Sequence, residues 1–184
     1  MPDSYRKILD RADEFFKGVV THQPEQLACR RGCTMCCHGL FEIGTADVSL
    51  ITAGIRSLDP RVRAVVVDRA RRVLDELAQP NLRECEPEEK EAFFDRAEDA
   101  PCPALDDEGG CVLYEFRPIV CRTFGLPLRE GAAYLGQECV LNFTTASDGD
   151  KQIAAWDLEW EDVLGPEDEF TIPEAIVLAA LFLA

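Results

Sequence analysis

Eight cysteines set in two groups constrain this 184-residue chain more than any other feature. Cys29, Cys33, Cys36 and Cys37 crowd into the stretch CRRGCTMCCHG, with the last two adjacent. Cys102, Cys111 and Cys121 follow in PCPALDDEGGCVLYEFRPIVCRTFG, and Cys139 in GQECV. In a helix, the first group would line one stripe about 100° wide. In a turn-rich knuckle, the two-residue gap lets Cys33 and Cys36 grip one ion or one cluster edge. Either way at least three sulfurs converge. Cys36 and Cys37 point in different directions along any backbone, so they serve different metals or different corners of one cluster.

Thiol-only explanations account for this pattern less well. A single cysteine on an apolar face is usually core packing, and Cys85, isolated in NLRECEPEE, fits that description. The other eight do not. A disulfide framework is disfavoured because the total is nine, an odd number, and adjacent cysteines pair poorly with each other. A thioredoxin-like site needs Cys-x-x-Cys at the start of a helix that follows a strand, and no βαβ pattern surrounds Cys33. Metal ligation is therefore the preferred reading. Four thiolates suit zinc and an iron–sulfur cluster almost equally, with the adjacent pair and open loop leaning toward iron–sulfur. His38 is a candidate fourth ligand of a Cys3His site, but a solvent-facing histidine is the simpler expectation.

Around the cysteines the chain reads as mostly α. Tyr5, Ile8, Leu9, Ala12, Phe15, Phe16 and Val19 recur at helical spacing and predict a helix over residues 4–20. Thr45 is the expected N-cap of a helix carrying Val48, Ile51 and Ile55. Asp59-Pro60 opens another, with Val62, Val65, Val66, Val73, Leu74 and Leu77 on its apolar face. Pro87-Glu88-Glu89 starts a third, running through Phe93 and Phe94. From Ala100 to about Cys139, Pro, Gly and Cys predict an irregular segment that needs cross-linking. A polar loop is expected over 142–150, then two short helices, with Trp156 and Trp160 packed into a core at i and i+4. The sum is one small helical domain over 1–184, with an irregular cysteine-rich metal-binding segment spanning about 27–140.

The net charge of −16 repels nucleic-acid backbones and anionic membrane surfaces, so neither is an expected partner. A protein partner or a second copy of the chain stays open. The N-terminal stretch MPDSYRKILDRADEFF lacks an apolar signal core, and the apolar run from Ile172 is about half the ~20 residues of a membrane span. These features predict a cytoplasmic protein in a reducing compartment.

Taken together, Cys29-x3-Cys33-x2-Cys36-Cys37, then Cys102-Pro103-x-Leu105, then Cys111-x2-Tyr114-x2-Arg117-Pro118-x2-Cys121-Arg122 resembles the YkgJ-type cysteine-cluster family. The resemblance covers roughly residues 27–125. It implies a small, mostly helical metal-binding domain of bacterial type that chelates zinc or iron, with the cysteines as ligands. Arg117 and Arg122 flank Cys121 and are candidates to donate hydrogen bonds to thiolate sulfur and offset ligand charge, with Glu115 as an arginine's partner. Kinship with flagellin lysine methylases adds cluster-dependent redox or group-transfer chemistry as an alternative, and metal handling as another. No Gly-rich loop after a strand marks a nucleotide site.

Overall fold

The computed structural model describes residues 2–30, 32–164 and 169–182, and it is predominantly helical. In chain order the elements are α1 (Asp3–His22), β1 (Glu42–Ile43), α2 (Thr45–Ser57), α3 (Pro60–Leu77), α4 (Pro87–Arg96) and α5 (Ile119–Thr123). They continue with β2 (Leu128–Glu130), β3 (Ala133–Gly136), α6 (Asp148–Ile153), β4 (Trp156–Asp157), β5 (Phe170–Thr171) and α7 (Ile172–Leu181). The last two residues of the apolar C-terminal run lie outside the described residues. Among the described residues, no helix is long and apolar enough to cross a membrane. The chain divides into two compact units, Met1–Cys36 with Ile119–Pro166, and Cys37–Pro118 with Glu167–Ala184.

In the first unit, α1 buries Tyr5, Ile8, Leu9, Ala12 and Val19, the stripe its spacing dictates. That stripe packs on α5 and on a 3-10 turn over Leu158–Leu164. Each of Ile8, Leu9 and Val19 so buried contributes roughly 1.5–3 kcal/mol relative to exposure. Phe15, Trp156 and Trp160 meet edge to face, with centroids 4.7–5.7 Å apart, the geometry that ring quadrupoles favour. Trp156 is fully buried and its indole N–H donates to Glu161 Oε1 at 2.6 Å. A three-stranded sheet of order β3-β2-β4 lies beside them, β2 antiparallel to β3 and parallel to β4. Its buried carboxylate, Asp157, is satisfied by Arg129 at 2.6 Å and by the backbone N–H groups of Gly131 and Glu159.

In the second unit, α7 packs against both α2 and α3, and the short antiparallel pair β1–β5 leads into it. Thr171 is fully buried where β5 becomes α7. Its hydroxyl accepts the Glu174 N–H at 3.3 Å as an N-cap and donates to Gln79 Oε1 at 2.6 Å. A separate apolar cluster joins Leu40, Leu82, Phe93 and Ala97, with Cys85 and Phe94 against it. Cys85 is thus the packing cysteine its isolation predicts.

Several local expectations need correction. Gly44, not Thr45, caps α2, and its N–H donates to the Asp47 carboxylate at 3.2 Å. On α3 the buried residues are Val66, Val67 and Ala70, while Val62 and Val65 are exposed, because α7 covers the stripe centred on Val66–Ala70. The segment 128–136 is a hairpin rather than irregular chain. Trp156 lies in a strand and Trp160 in a 3-10 turn, not on one α-helix; their packing role holds.

Candidate metal centre

Within the first unit, Cys29, Cys33, Cys36 and Cys139 occupy one electrostatic neighbourhood. The Cys29 thiol is pushed above its ordinary pKa, first by partial burial, then by the charges of Cys33, Cys139 and Cys36, against an opposing hydrogen bond from Asn142. Much of the Cys29 residue is nonetheless solvent-exposed, so the site opens to water on that side. Cys33 is set by a turn in which its N–H donates to the Arg30 carbonyl at 2.9 Å. Cys36 follows on a single 3-10 turn, Met35–Cys37. Cys139 begins a turn closed by the Asn142 N–H at 2.8 Å. Cys121 sits on the short helix α5.

The second unit straps Cys37, Cys102 and Cys111 together by backbone. The Cys102 N–H donates to the Cys37 carbonyl at 2.8 Å, and Gly39 N–H to the Ala100 carbonyl at 2.9 Å, making a bridge at His38–Pro101. A second bridge pairs Leu105 with Cys111. Between them the Asp106 carboxylate accepts from Gly110 N at 2.6 Å and Glu108 N at 2.9 Å, tightening the loop that the glycines allow. Arg69 of α3 anchors this loop, donating to the Leu105 carbonyl at 2.6 Å and pairing with Asp107 at 2.7 Å. His38 is exposed.

The two arginines singled out by sequence lie in different settings. Arg122 is buried and ion-paired with Asp13 of α1, a partner sequence reasoning did not foresee. Arg117 stacks 3.7 Å over the Tyr114 ring and donates through Nε to the Tyr114 carbonyl at 2.9 Å. Sequence reasoning also missed Asn142, placed in an expected polar loop but only 3% exposed. A cleft of about 340 Å³ in the first unit, lined by Phe15, Arg129, Tyr134, Ile153 and Trp160 among others, has no cysteine in its wall.

A helical chain whose turns bring cysteine-bearing segments from distant parts of the sequence near one another has the character of a cysteine-cluster domain. The chain belongs to the CxxCxxCC family, described as a "Putative zinc- or iron-chelating domain", whose family model matches residues 28–140. This is the cysteine-cluster family its motifs resemble, and the match reaches past Cys121 to include Cys139. No curated protein and no solved structure matches the chain.

The donor set fits such a metal chemically. Partial burial, then the neighbouring cysteines, hold the Cys29 thiol above its ordinary pKa, and a bound divalent cation would reverse that penalty. Among the described residues, no three His, Cys, Asp or Glu side chains are gathered so as to hold one ion. No disulfide joins any of the nine cysteines, so the thiols are chemically available as ligands.

Proposed function

We propose that the protein holds zinc or an iron–sulfur cluster through its two cysteine groups, with Cys29, Cys33, Cys36 and Cys139 as the set within the first unit. The observation that carries this reading is the family match over residues 28–140, supported by Asn142, whose Nδ2 donates to Cys29 Sγ at 3.5 Å while its backbone N–H closes the turn from Cys139 at 2.8 Å. Cys37, Cys102 and Cys111 are the proposed ligands within the second unit, and Cys121 completes the eight. Arg117 and Arg122 are the proposed cationic neighbours, since they flank Cys121 in sequence.

Bound zinc would cross-link an irregular segment, whereas an iron–sulfur cluster would add one-electron redox chemistry. The chain's own contribution is to hold thiols in place and partly shield them from water. Replacing Cys29, Cys33, Cys36 and Cys139 by serine together tests the reading. The anaerobically purified variant is expected to lose metal relative to wild type. Retention of the full wild-type metal content would refute the assignment of this set.

A further inference from the structure

The geometry points to Asn142 as the positioning residue of the first-unit cysteine set, fixing Cys29 beside Cys139 and directing an amide N–H at the Cys29 sulfur. This rests on reading those cysteines as metal ligands. Asn142 lies two positions beyond the family-matched segment, and it is 113 residues from Cys29 in sequence.

Its side chain engages two separate stretches of chain, and its backbone a third. Oδ1 accepts the Ala28 N–H at 2.9 Å. Nδ2 donates to the Gly125 carbonyl at 2.9 Å and to Cys29 Sγ at 3.5 Å. Its backbone N–H closes the turn onto the Cys139 carbonyl at 2.8 Å, and the next residue, Phe143, donates to the Gln26 carbonyl at 2.7 Å. One acceptor and two donors are needed on a single short side chain, and only a primary amide of this length supplies them. The neighbours also fix the amide's orientation, because Ala28 offers only a donor there and Gly125 only an acceptor.

Gly125 is matched to this arrangement. Its φ is +90°, and a Cβ there would stand 2.6 Å from Asn142 Nδ2 and 3.4 Å from the Cys139 Cβ. The buried amide therefore occupies space that glycine leaves open. An N–H aimed at a ligand sulfur stabilises thiolate charge and orients the ligand, a role whose loss typically costs 10–100-fold in metal affinity.

A double-mutant cycle in metal affinity tests this, with chelator competition on wild type, Asn142→Ser, Cys29→Ser and the double variant, and folding followed by circular dichroism. Serine is neutral but too short to reach both Gly125 and the sulfur. Asn142→Ser is expected to weaken metal binding about tenfold or more in the wild-type background. In the Cys29→Ser background the loss should shrink to about twofold or less, since coupled residues are non-additive. Where Asn142→Ser does not fold, Asn142→Asp, which keeps the shape and the Ala28 acceptor, carries the same cycle. Equal losses in both backgrounds would assign Asn142 a purely structural role and overturn the inference while leaving the metal reading intact. A folded wild type that binds no metal overturns the metal reading itself.

Discussion

The backbone N–H of Cys102 donates to the carbonyl of Cys37 at 2.8 Å, so two cysteines from sequence-remote groups are joined main chain to main chain. The link does not depend on either side chain. With metal removed, Cys102→Ser is therefore expected to leave the fold of the second unit close to wild type, within about 1 kcal/mol, while the variant as purified loses one proposed ligand. Chemical denaturation of the chelator-treated protein, and metal content before chelation, check the two halves of that statement.

Gly39 sets the register of this strap. Its φ is +82°, and a Cβ would stand 2.9 Å from the Glu98 carbonyl oxygen, which as backbone cannot easily give way. Gly39→Ala should destabilise the protein by about 1–3 kcal/mol through left-handed strain plus that contact. A drop in the denaturation midpoint at an unchanged m-value is the expected signature.

Thr171 joins strand, cap and buried hydrogen bond in one fully buried residue. Thr171→Val keeps the volume but loses the cap of α7 and leaves Gln79 Oε1 without this donor. A loss of about 1–3 kcal/mol is expected. Trp156→Ala, by contrast, removes the centre of the first unit's aromatic cluster and should cost about 3–5 kcal/mol. Equilibrium unfolding of both variants would reveal whether the larger loss belongs to the tryptophan.

The pH dependence of the metal-free protein has a defined sign on each side. Burial alone would lower the pKa of Lys90, but Glu169 and Glu42, at 2.7 and 2.5 Å, outweigh it and hold it above its ordinary value. The Tyr134 hydroxyl is raised by burial and by Glu138, and the Cys29 thiol is raised too. Groups raised on folding contribute stability that is fully present below their unfolded pKa values and lost as pH rises through the folded ones. Burial favours a higher Glu138 pKa, yet its bond to Lys151 at 2.5 Å holds it below the ordinary range. Its contribution is present above the unfolded carboxylate pKa of about 4.3 and lost as pH falls through the depressed value. Thermal midpoints should therefore peak between about pH 5 and 8 and fall on both sides. A midpoint still rising from pH 8 to 10 would contradict the assignments on the basic side.

The parts of this molecule legible in the sequence are those governed by local periodicity. The stripe Tyr5–Ile8–Leu9–Ala12 announces α1, and Asp59-Pro60 announces the start of α3 because the Asp59 carboxylate accepts the Arg61 N–H at 2.8 Å. The buried face of α3 was not legible, since valines occupy both the stripe that α7 covers and the one left in water. The hairpin 128–136 was hidden for a similar reason: its alternation is short, its register shifts between Leu128 and Arg129, and those two residues also pair with Trp156 and Asp157, far along the chain. Within the candidate site, the cysteines declare themselves by spacing. Asn142 does not, because its partners at Ala28, Cys29 and Gly125 become neighbours only on folding.

The most direct test of the central claim is the identity and number of metal atoms per chain in protein purified without exposure to air, read together with its visible absorption spectrum. Bound zinc, or iron with sulfide and a visible chromophore, is the result expected of a chain whose eight grouped cysteines are ligands. A colourless, metal-free protein that is nonetheless fully folded would contradict it.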